Sequence, residues 1–507
     1  MVNFCSLSGY VKAWQWAVVL WACFFFAEIP GAKANYIWTD NLKASYQNII
    51  ELRIEKGRAL TLEERRRFPN NRIADLCENY SDFLTMLFTE DVSKYDATLS
   101  RMADRLELPE GEDKNSPYYR YYLGEIHLHR AILKLKMGSM TQEISGGLEL
   151  RKAFTLLAEN DRLYPDFVPG RKSYGFLLMV FGLVPSKYSA ALSLLGLEGD
   201  SHKGLEKMIS ACSSGDPTAA EAQIFTNLAR FYILHNTDAA LQSMQALCNK
   251  DSDNMLLRFF LSDMLMHDAR AEEAFKVLNS RPWSSEYLSV FFISHRYGDI
   301  YLYRGDYNEA VRFYSWFLKY YKGKNYIKDT YYKLFLCKLL DGKKAEAHNF
   351  FAQIGASGAE RTEPDHYAQR VFKDADENLN QLLMRARLMS DGGYYEKASD
   401  LMESARPENL PALKDKIEYW YRRARISDKL GKTDEAAGFY RKTIAQSPNE
   451  GYYFAPNSAL QLAYIYRSRK DTAHAVECLR LALTFKEYPY SNGIESKVKA
   501  ALHELGQ

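Results

Sequence analysis

The sequence predicts an all-α protein: an α-solenoid of about seven helix hairpins preceded by an N-terminal helical region. Three observations carry that expectation. One half-repeat returns in a single register over more than half of the chain, and apolar residues upstream of it fall at helical spacing. Among 507 residues Gly (28) and Pro (15) are scarce while Tyr (36) and Phe (27) abound, which favours aromatic helix-to-helix packing over tight turns. The length would make roughly three or four globular domains unless the chain grows by stacking repeats. With 47% hydrophobic and 26% charged residues it is neither wholly disordered, nor collagen-like, nor a polytopic membrane protein. Lys+Arg (66) and Asp+Glu (64) balance to +2, which gives no electrostatic case for nucleic acid.

Residues 1–34 read as a secretory signal peptide. Met1–Val11 lacks acidic residues, the apolar run Trp14–Ala27 is broken only by Gln15, and Pro30 with Ala32-x-Ala34 suits signal peptidase. The run is shorter than the roughly 20 residues a membrane helix needs. Cleavage is expected before Asn35, with retention as an anchor the alternative. Leu20-Trp21-Ala22-Cys23 only loosely imitates a lipobox, because Trp21 stands where a small residue is wanted. Cleavage leaves Cys77, Cys212, Cys248, Cys337 and Cys478, an odd, widely spaced set without C-x-x-C. Buried reduced thiols are expected, and in an oxidising envelope one pair could still bridge.

In the region 35–220, Asn41–Arg66, Ile73–Phe88 and Tyr119–Met137 read as amphipathic helices. Arg65-Arg66-Arg67 reads as a helix end favoured by the macrodipole. Asn79-Tyr80-Ser81 is a glycosylation sequon, meaningful if the secretory route is eukaryotic. Tyr174–Val184, stopped at Pro185, reads as an apolar helix too short to span a bilayer and buried on all sides.

In the region 221–507, Gly305-Asp306-Tyr307-Asn308-Glu309-Ala310, followed by Tyr314, forms a turn and a second-helix start that recurs. Its alanine aligns with Ala240, Ala274, Ala310, Ala347, Ala398, Ala436 and Ala475, at separations of 34, 36, 37, 51, 38 and 39. A methyl group there lets two helices cross closely. The best units are Phe291–Lys324, Lys328–Arg361, Ile417–Glu450 and Pro456–Pro489; Glu221–Lys250, Met255–Leu288 and Leu379–Ala412 are degenerate. The long separation contains Gly355–Ala375, whose Gly, Ser, Glu-Pro and Asp content reads as a loop.

The units resemble tetratricopeptide repeats, whose period is about 34 residues. Upstream, Gly146-Gly147-Leu148-Glu149-Leu150-Arg151, the helix ending at Pro185, Gly196-Leu197-Glu198-Gly199-Asp200 and Gly204-Leu205 together resemble the signature block of the tetratricopeptide repeat protein 39 family, over about Gly146–Ile209. That resemblance implies an all-helical interaction protein with no established catalytic apparatus. Two departures stand: Val184-Pro185 replaces a double proline, and the familiar members are intracellular whereas this chain opens on an export signal.

No catalytic, metal or cofactor site is expected. Gly431-Lys432-Thr433 ends like a phosphate loop, yet the upstream Gly would fall at Ile426 inside a helix with no strand before it. Glu125 and His129, with His127 between, offer two ligands on one helical face and no third, so a solvated or capped histidine is expected. H-E-x-x-H and G-x-S-x-G do not occur.

The expected function is a non-enzymatic scaffold or adaptor of the cell envelope or periplasm. It would bind a protein or peptide segment in the concave groove lined by the first helices, with peripheral membrane association open and nucleic acid excluded. The solvent slots of those helices give Phe259, Asp263, His295, Asp299, Tyr303, Tyr332, Arg387, Tyr421, Arg425, Tyr464 and Arg467 as groove residues. Acids gather in the earlier units, Arg and Tyr in the later ones. Tyr421, Arg425, Tyr464 and Arg467 are expected to grip an extended peptide or a chain terminus, because Tyr and Arg give broad contact and forked hydrogen bonds to carboxylate. The alternative is a carbohydrate- or solute-binding helical-repeat protein beside an outer-membrane transporter.

Overall fold

The structure, a computed structural model, describes residues 35–107, 112–182, 184, 192–193, 196–213, 215–234, 236–280, 284–375, 379–410, 412–448 and 451–507. The expected signal peptide lies outside the described residues, as does Pro185. Among the described residues the fold is an all-α solenoid with 24 α-helices and no strand, and no helix is long and apolar enough to cross a membrane. The chain divides into two compact units.

The first unit comprises residues 35–87, 93–229 and 285–288. It holds α1 (Asp40–Ile50), α2 (Ile54–Arg67), most of α3 (Arg72–Thr89), α4 (Tyr95–Asp104), α5 (Pro117–Met137), α6 (Met140–Leu163), α7 (Val168–Gly182), α8 (Ser201–Ala211) and most of α9 (Ala219–Tyr232). The single helix expected over Asn41–Arg66 is two. The break falls at Leu52, a fully buried residue at φ +65°, and α2 folds back on α1. Gly57 permits this, since a Cβ there would lie 2.5 Å from Ile49 Cγ1. Helices α5 and α6 form the longest hairpin. Ser116 caps α5 ahead of Pro117, and a Ser139–Gln142 capping box starts α6.

Four glycines of the 146–209 block, Gly175, Gly182, Gly199 and Gly204, are explained by the approach of α7 to α8 and the turn before it. A Cβ on Gly175 would lie 2.6 Å from the Gly204 carbonyl oxygen, one on Gly204 2.5 Å from that of Gly175, and one on Gly199 2.0 Å from Gly182 N. The two backbones touch where any side chain would hold them apart.

The second unit comprises Phe88–Val92, Arg230–Ser284 and Ser289–Gln507. After α10 (Thr237–Lys250) come the hairpins α11/α12 (Met255–His267, Ala271–Asn279), α13/α14 (Phe291–Arg304, Tyr307–Tyr320) and α15/α16 (Ile327–Leu340, Lys344–Ala356). A single helix, α17 (Glu363–Lys373), follows. Then come α18/α19 (Gln381–Asp391, Tyr395–Glu403), α20/α21 (Leu413–Lys429, Thr433–Gln446), α22/α23 (Phe454–Ser468, Thr472–Ala482) and a last helix α24 (Ser491–Glu504). All seven register alanines are buried, each at most 1% exposed. At Gly298 a Cβ would lie 2.4 Å from the Tyr314 ring, so a large residue fills the hole that a small one leaves. Gly305 (φ +88°) and Gly431 (φ +74°) make hairpin turns, so Gly431-Lys432-Thr433 is such a turn. The degenerate unit Glu221–Lys250 is split, because the division between the compact units falls inside it.

The expected loop Gly355–Ala375 contains α17. Thr362 caps it, Pro364 occupies its first turn beside Glu363 and Asp365, and Arg370 and Lys373 close it. The inserted turn and helix let α18 pack across α13. There Ala271 N donates to the Gly392 carbonyl (3.3 Å) and Tyr394 OH to Glu272 (2.6 Å), joining the α11–α12 turn to the α18–α19 turn.

Candidate functional site

Most of the expected groove residues are not solvent slots. His295, Asp299, Tyr332 and Tyr421 are buried; Phe259, Asp263, Tyr303, Arg387, Arg425 and Tyr464 are half-buried; only Arg467 is exposed. The cause is packing by neighbouring helices: Tyr314 and Phe317 of α14 and Asp329 and Lys333 of α15 close over His295 and Asp299, and Tyr367 of α17 lies against Tyr332. The earlier acids sit in an interior ladder of alternating charge. Lys333 Nζ pairs with Asp299 (2.7 Å) and Asp329 (2.8 Å), and His295 Nε2 with Asp329 (3.0 Å). Arg296 pairs with Asp299 (3.1 Å) and with Asp263, while Tyr314 OH donates to Asp299 (2.7 Å). Burial alone would raise the Asp299 pKa, but Lys333, His295 and Arg296 outweigh it and hold the carboxyl below its ordinary range. The acids are therefore neutralised from within the unit.

The four residues expected to grip a partner fall into two pairs, Tyr421 with Arg425 and Tyr464 with Arg467. Tyr421 OH accepts from Asn457 Nδ2 (2.7 Å), and Arg425 lies half-buried beside Tyr421 and Tyr440. Arg467 stacks over Tyr464 (5.4 Å) and pairs with Glu504. Phe259 packs edge-on against Phe88 (5.3 Å).

A different cluster forms around Arg387. Its Nη1 donates to Tyr367 OH (2.9 Å), and its guanidinium lies 5.3 Å from the Tyr367 ring centre. Arg370, exposed on α17, stands over Tyr367 (5.8 Å) and Tyr490 (5.1 Å). Tyr490 packs edge-on to Tyr453 (5.6 Å), and Tyr453 to Tyr421 (5.7 Å), beneath which Arg422 is held by Glu418 (2.8 Å). Tyr332 meets Tyr367 edge-on (5.5 Å), and its buried hydroxyl has no hydrogen-bond partner. Burial pushes the Tyr367 phenol up, but Arg387 beside it more than compensates and draws it below the ordinary value. Tyr490 is 46% exposed and adopts φ +66°, a conformation that costs a bulky residue about 1–2 kcal/mol. The arrangement is a basic aromatic basket: exposed Arg370 and Tyr490 at its mouth, Arg387 and Tyr367 below, Arg422 beneath. Chemically it suits an anionic group attached to an apolar or planar one. Arg370 and Tyr367 were missed because they stand on α17, in the segment read as a loop.

In the first unit the Glu125–His129 pair is buried, so His129 is not the solvated histidine expected. Lys172, fully buried on α7, donates to Glu221 Oε2 (2.7 Å), Glu125 Oε2 (3.1 Å) and Tyr80 OH (2.7 Å), while Tyr46 OH donates to Glu221 (2.5 Å). His129 is buried, stacks on Phe83 (4.0 Å) and shares a hydrogen bond with Asn79 Nδ2 (2.8 Å). His127 pairs with Glu149 instead. Asn79, fully buried, is thus no accessible glycan acceptor in the folded chain. Among the described residues no three His, Cys, Asp or Glu are grouped as metal ligands, and the cysteines from Cys77 to Cys478 are free, Cys212 half-buried and the others buried.

Burial, with Lys172 nearby, pushes the His129 pKa down to about 3 against the opposing pull of Glu125. A depressed folded pKa means that the unfolded chain binds the extra proton first. The stability contributed by neutral His129 is therefore full above about pH 6.5 and drains away as pH falls towards 3, by up to about 5 kcal/mol. Urea unfolding of the first unit across that window should show the loss, and His129→Gln should flatten it. An unchanged slope in the variant would contradict this assignment.

Stacked helix hairpins with a basic aromatic cluster at the surface define a helical-repeat protein of the kind that presents binding surfaces. The tetratricopeptide repeat family model matches residues 417–450 and 456–488, covering α20 to α23, and does not extend to the 146–209 block. The C-terminal hairpins are tetratricopeptide repeats. No curated protein matches the chain. Among solved structures it is similar to the human IFIT1 dimer with PPP-AAAA (9% identity, 89% of this chain and 95% of that one, TM-score 0.33). Yeast Tom70 (14%, 81% and 93%, 0.23) and the apo form of the quorum sensor NprR from B. thuringiensis (13%, 88% and 97%, 0.26) are similar at the same level. Likeness of this degree carries no inference about ligand or partner.

Proposed function

We propose that the protein is a non-enzymatic interaction scaffold of the cell envelope, exported by its N-terminal signal, that holds a segment of a partner protein at the Arg370–Arg387–Tyr367–Tyr490 basket. The observation that supports this most directly is the basket itself. Three guanidinium groups and five tyrosines converge there, and the mouth residues Arg370 and Tyr490 are exposed. Arg and Tyr grouped in this way supply the forked hydrogen bonds and broad contact that dominate binding energy. Export is supported by Met1–Ala34 alone, and the likeness of the 146–209 block to the tetratricopeptide repeat protein 39 family by the close α7–α8 glycine contacts.

The tagged full chain is expected to capture a partner from an envelope extract. Arg370→Ala with Arg387→Ala should weaken that capture at least about a hundredfold; the half-buried Arg387 makes this variant about 1–3 kcal/mol less stable, and Arg370→Ala alone, at the exposed mouth, should weaken capture about tenfold with stability unchanged within about 1 kcal/mol. Arg467→Ala, on the exposed α22 end, should change nothing. Equal capture by the double variant removes the basket from the account. Envelope fractionation, with a mature N-terminus at Asn35, tests export separately.

A further inference from the structure

One face of α6 is unused by the hairpin it belongs to. Met140 (79% exposed), Ile144 (68%) and Leu148 (55%) stand above one another at i, i+4 and i+8. Arg151, Thr155 and Arg162 continue along the same face with Lys152 beside them, all exposed. Three of the four carboxylates of this helix are held by cations of neighbouring helices, Glu159 among them although it stands on the same face. Glu149 is buried against Lys134 (2.9 Å), Arg130 (3.0 Å) and His127, Glu159 pairs with Arg120 (3.1 Å), and Asp161 with Lys207 (2.7 Å). Gly147 lies within the apolar half. A Cβ on Gly147 would meet nothing within 4 Å, so packing gives no reason for a residue that weakens a helix interior, whereas Gly146 beside it is pressed against Lys134 and Leu135.

We propose that α6 is a membrane-docking helix. It lays Met140, Ile144 and Leu148 into the headgroup–acyl boundary of an anionic bilayer leaflet while Arg151, Lys152 and Arg162 hold phosphate headgroups. The apolar turns and the basic turns follow one another along one line about 33 Å long, so the helix tilted with its N-terminal end down sets the apolar turns at the acyl boundary and the basic turns among the headgroups. Gly147 keeps the face low between Ile144 and Arg151. A second copy fits less well: antiparallel pairing on this face would set Arg162 against the apolar turn at Met140, with Glu159 already paired to Arg120. The site stands independently of the basket and of what the repeats hold.

The test uses the full chain with vesicles of phosphatidylcholine, with and without phosphatidylglycerol. Sedimentation with the anionic vesicles is expected, weakened at least about tenfold by Ile144→Glu with Leu148→Glu, which remove apolar area from the contact. Arg151→Glu with Arg162→Glu should abolish the preference for phosphatidylglycerol. The N-terminal apolar run is common to all variants, so their differences report α6. Ile144→Trp should gain quenching by brominated acyl chains, a readout that no refolding artefact imitates. Three results overturn the proposal: vesicle binding unchanged by Ile144→Glu with Leu148→Glu, no added quenching, or a dimer in sedimentation velocity that the same pair dissolves. Heparin binding that depends on the arginines but not on Ile144 and Leu148 would assign the face to a soluble polyanion instead.

Discussion

Lys172→Met is expected to destabilise the first unit by about 3–5 kcal/mol, because it leaves two carboxylates buried with no cation. Lys172 is fully buried and its ammonium is shared by Glu125, Glu221 and the Tyr80 hydroxyl. Burial disfavours the charge, yet Glu125 and Glu221 outweigh it and raise the Lys172 pKa above its ordinary value. A raised folded pKa contributes stability that is present below about pH 10.4 and is lost above it, so the penalty of the variant should be full at neutral pH. The buried ion cluster need not stabilise the fold relative to an apolar core, and the design of the test uses that asymmetry. Adding Glu125→Gln and Glu221→Gln to Lys172→Met should recover half or more of the loss. Hydrogen exchange resolved to α3, α5 and α7 would locate the effect. If the single variant unfolds no more readily than the parent, the cluster does not bear charge as described.

What was legible in the sequence follows what is periodic. The alanine register was readable because close crossing demands a methyl group at a fixed spacing, and every one of those alanines is buried. The interior of the 146–209 block was readable as glycine order but not as contact, since backbone touching of Gly175 and Gly204 depends on two helices far apart in sequence meeting. Helix α17 was lost to a composition argument. Gly355, Ser357 and Gly358 masked a start signal, Thr362-Glu363-Pro364-Asp365, that satisfies capping, first-turn proline and macrodipole rules at once. Solvent slots were misassigned because they presume that the inner face of the first helices stays open. His295 and Asp299 are interior because α14 and α15 pack over them, and Tyr332 because the inserted α17 sets Tyr367 against it. Lys172 escaped because the apolar helix was started at Tyr174, two residues past it. Asn79 shows the reverse error: a sequon says nothing about whether its amide is available, and this one is turned to His129.

Gly393→Ala is expected to release the α11–α12 turn from the α18–α19 turn at a cost of about 3 kcal/mol. Gly393 has φ +84°, a conformation that costs an L-residue about 1–2 kcal/mol. A Cβ there would also lie 1.8 Å from the Ala269 carbonyl oxygen. The overlap is with backbone, so no rotamer relieves it, and the contact must open. Gly431→Ala is the matched control: φ is +74°, and its Cβ would meet nothing within 4 Å. It should lose the backbone share alone. The difference between the two variants in urea unfolding of the second unit therefore measures the closure itself. Hydrogen exchange should rise at Ala271, whose amide donates to the Gly392 carbonyl, and along α13 where α18 covers it. Should both variants lose the same stability with α13 still protected, the return of α18 does not depend on that turn.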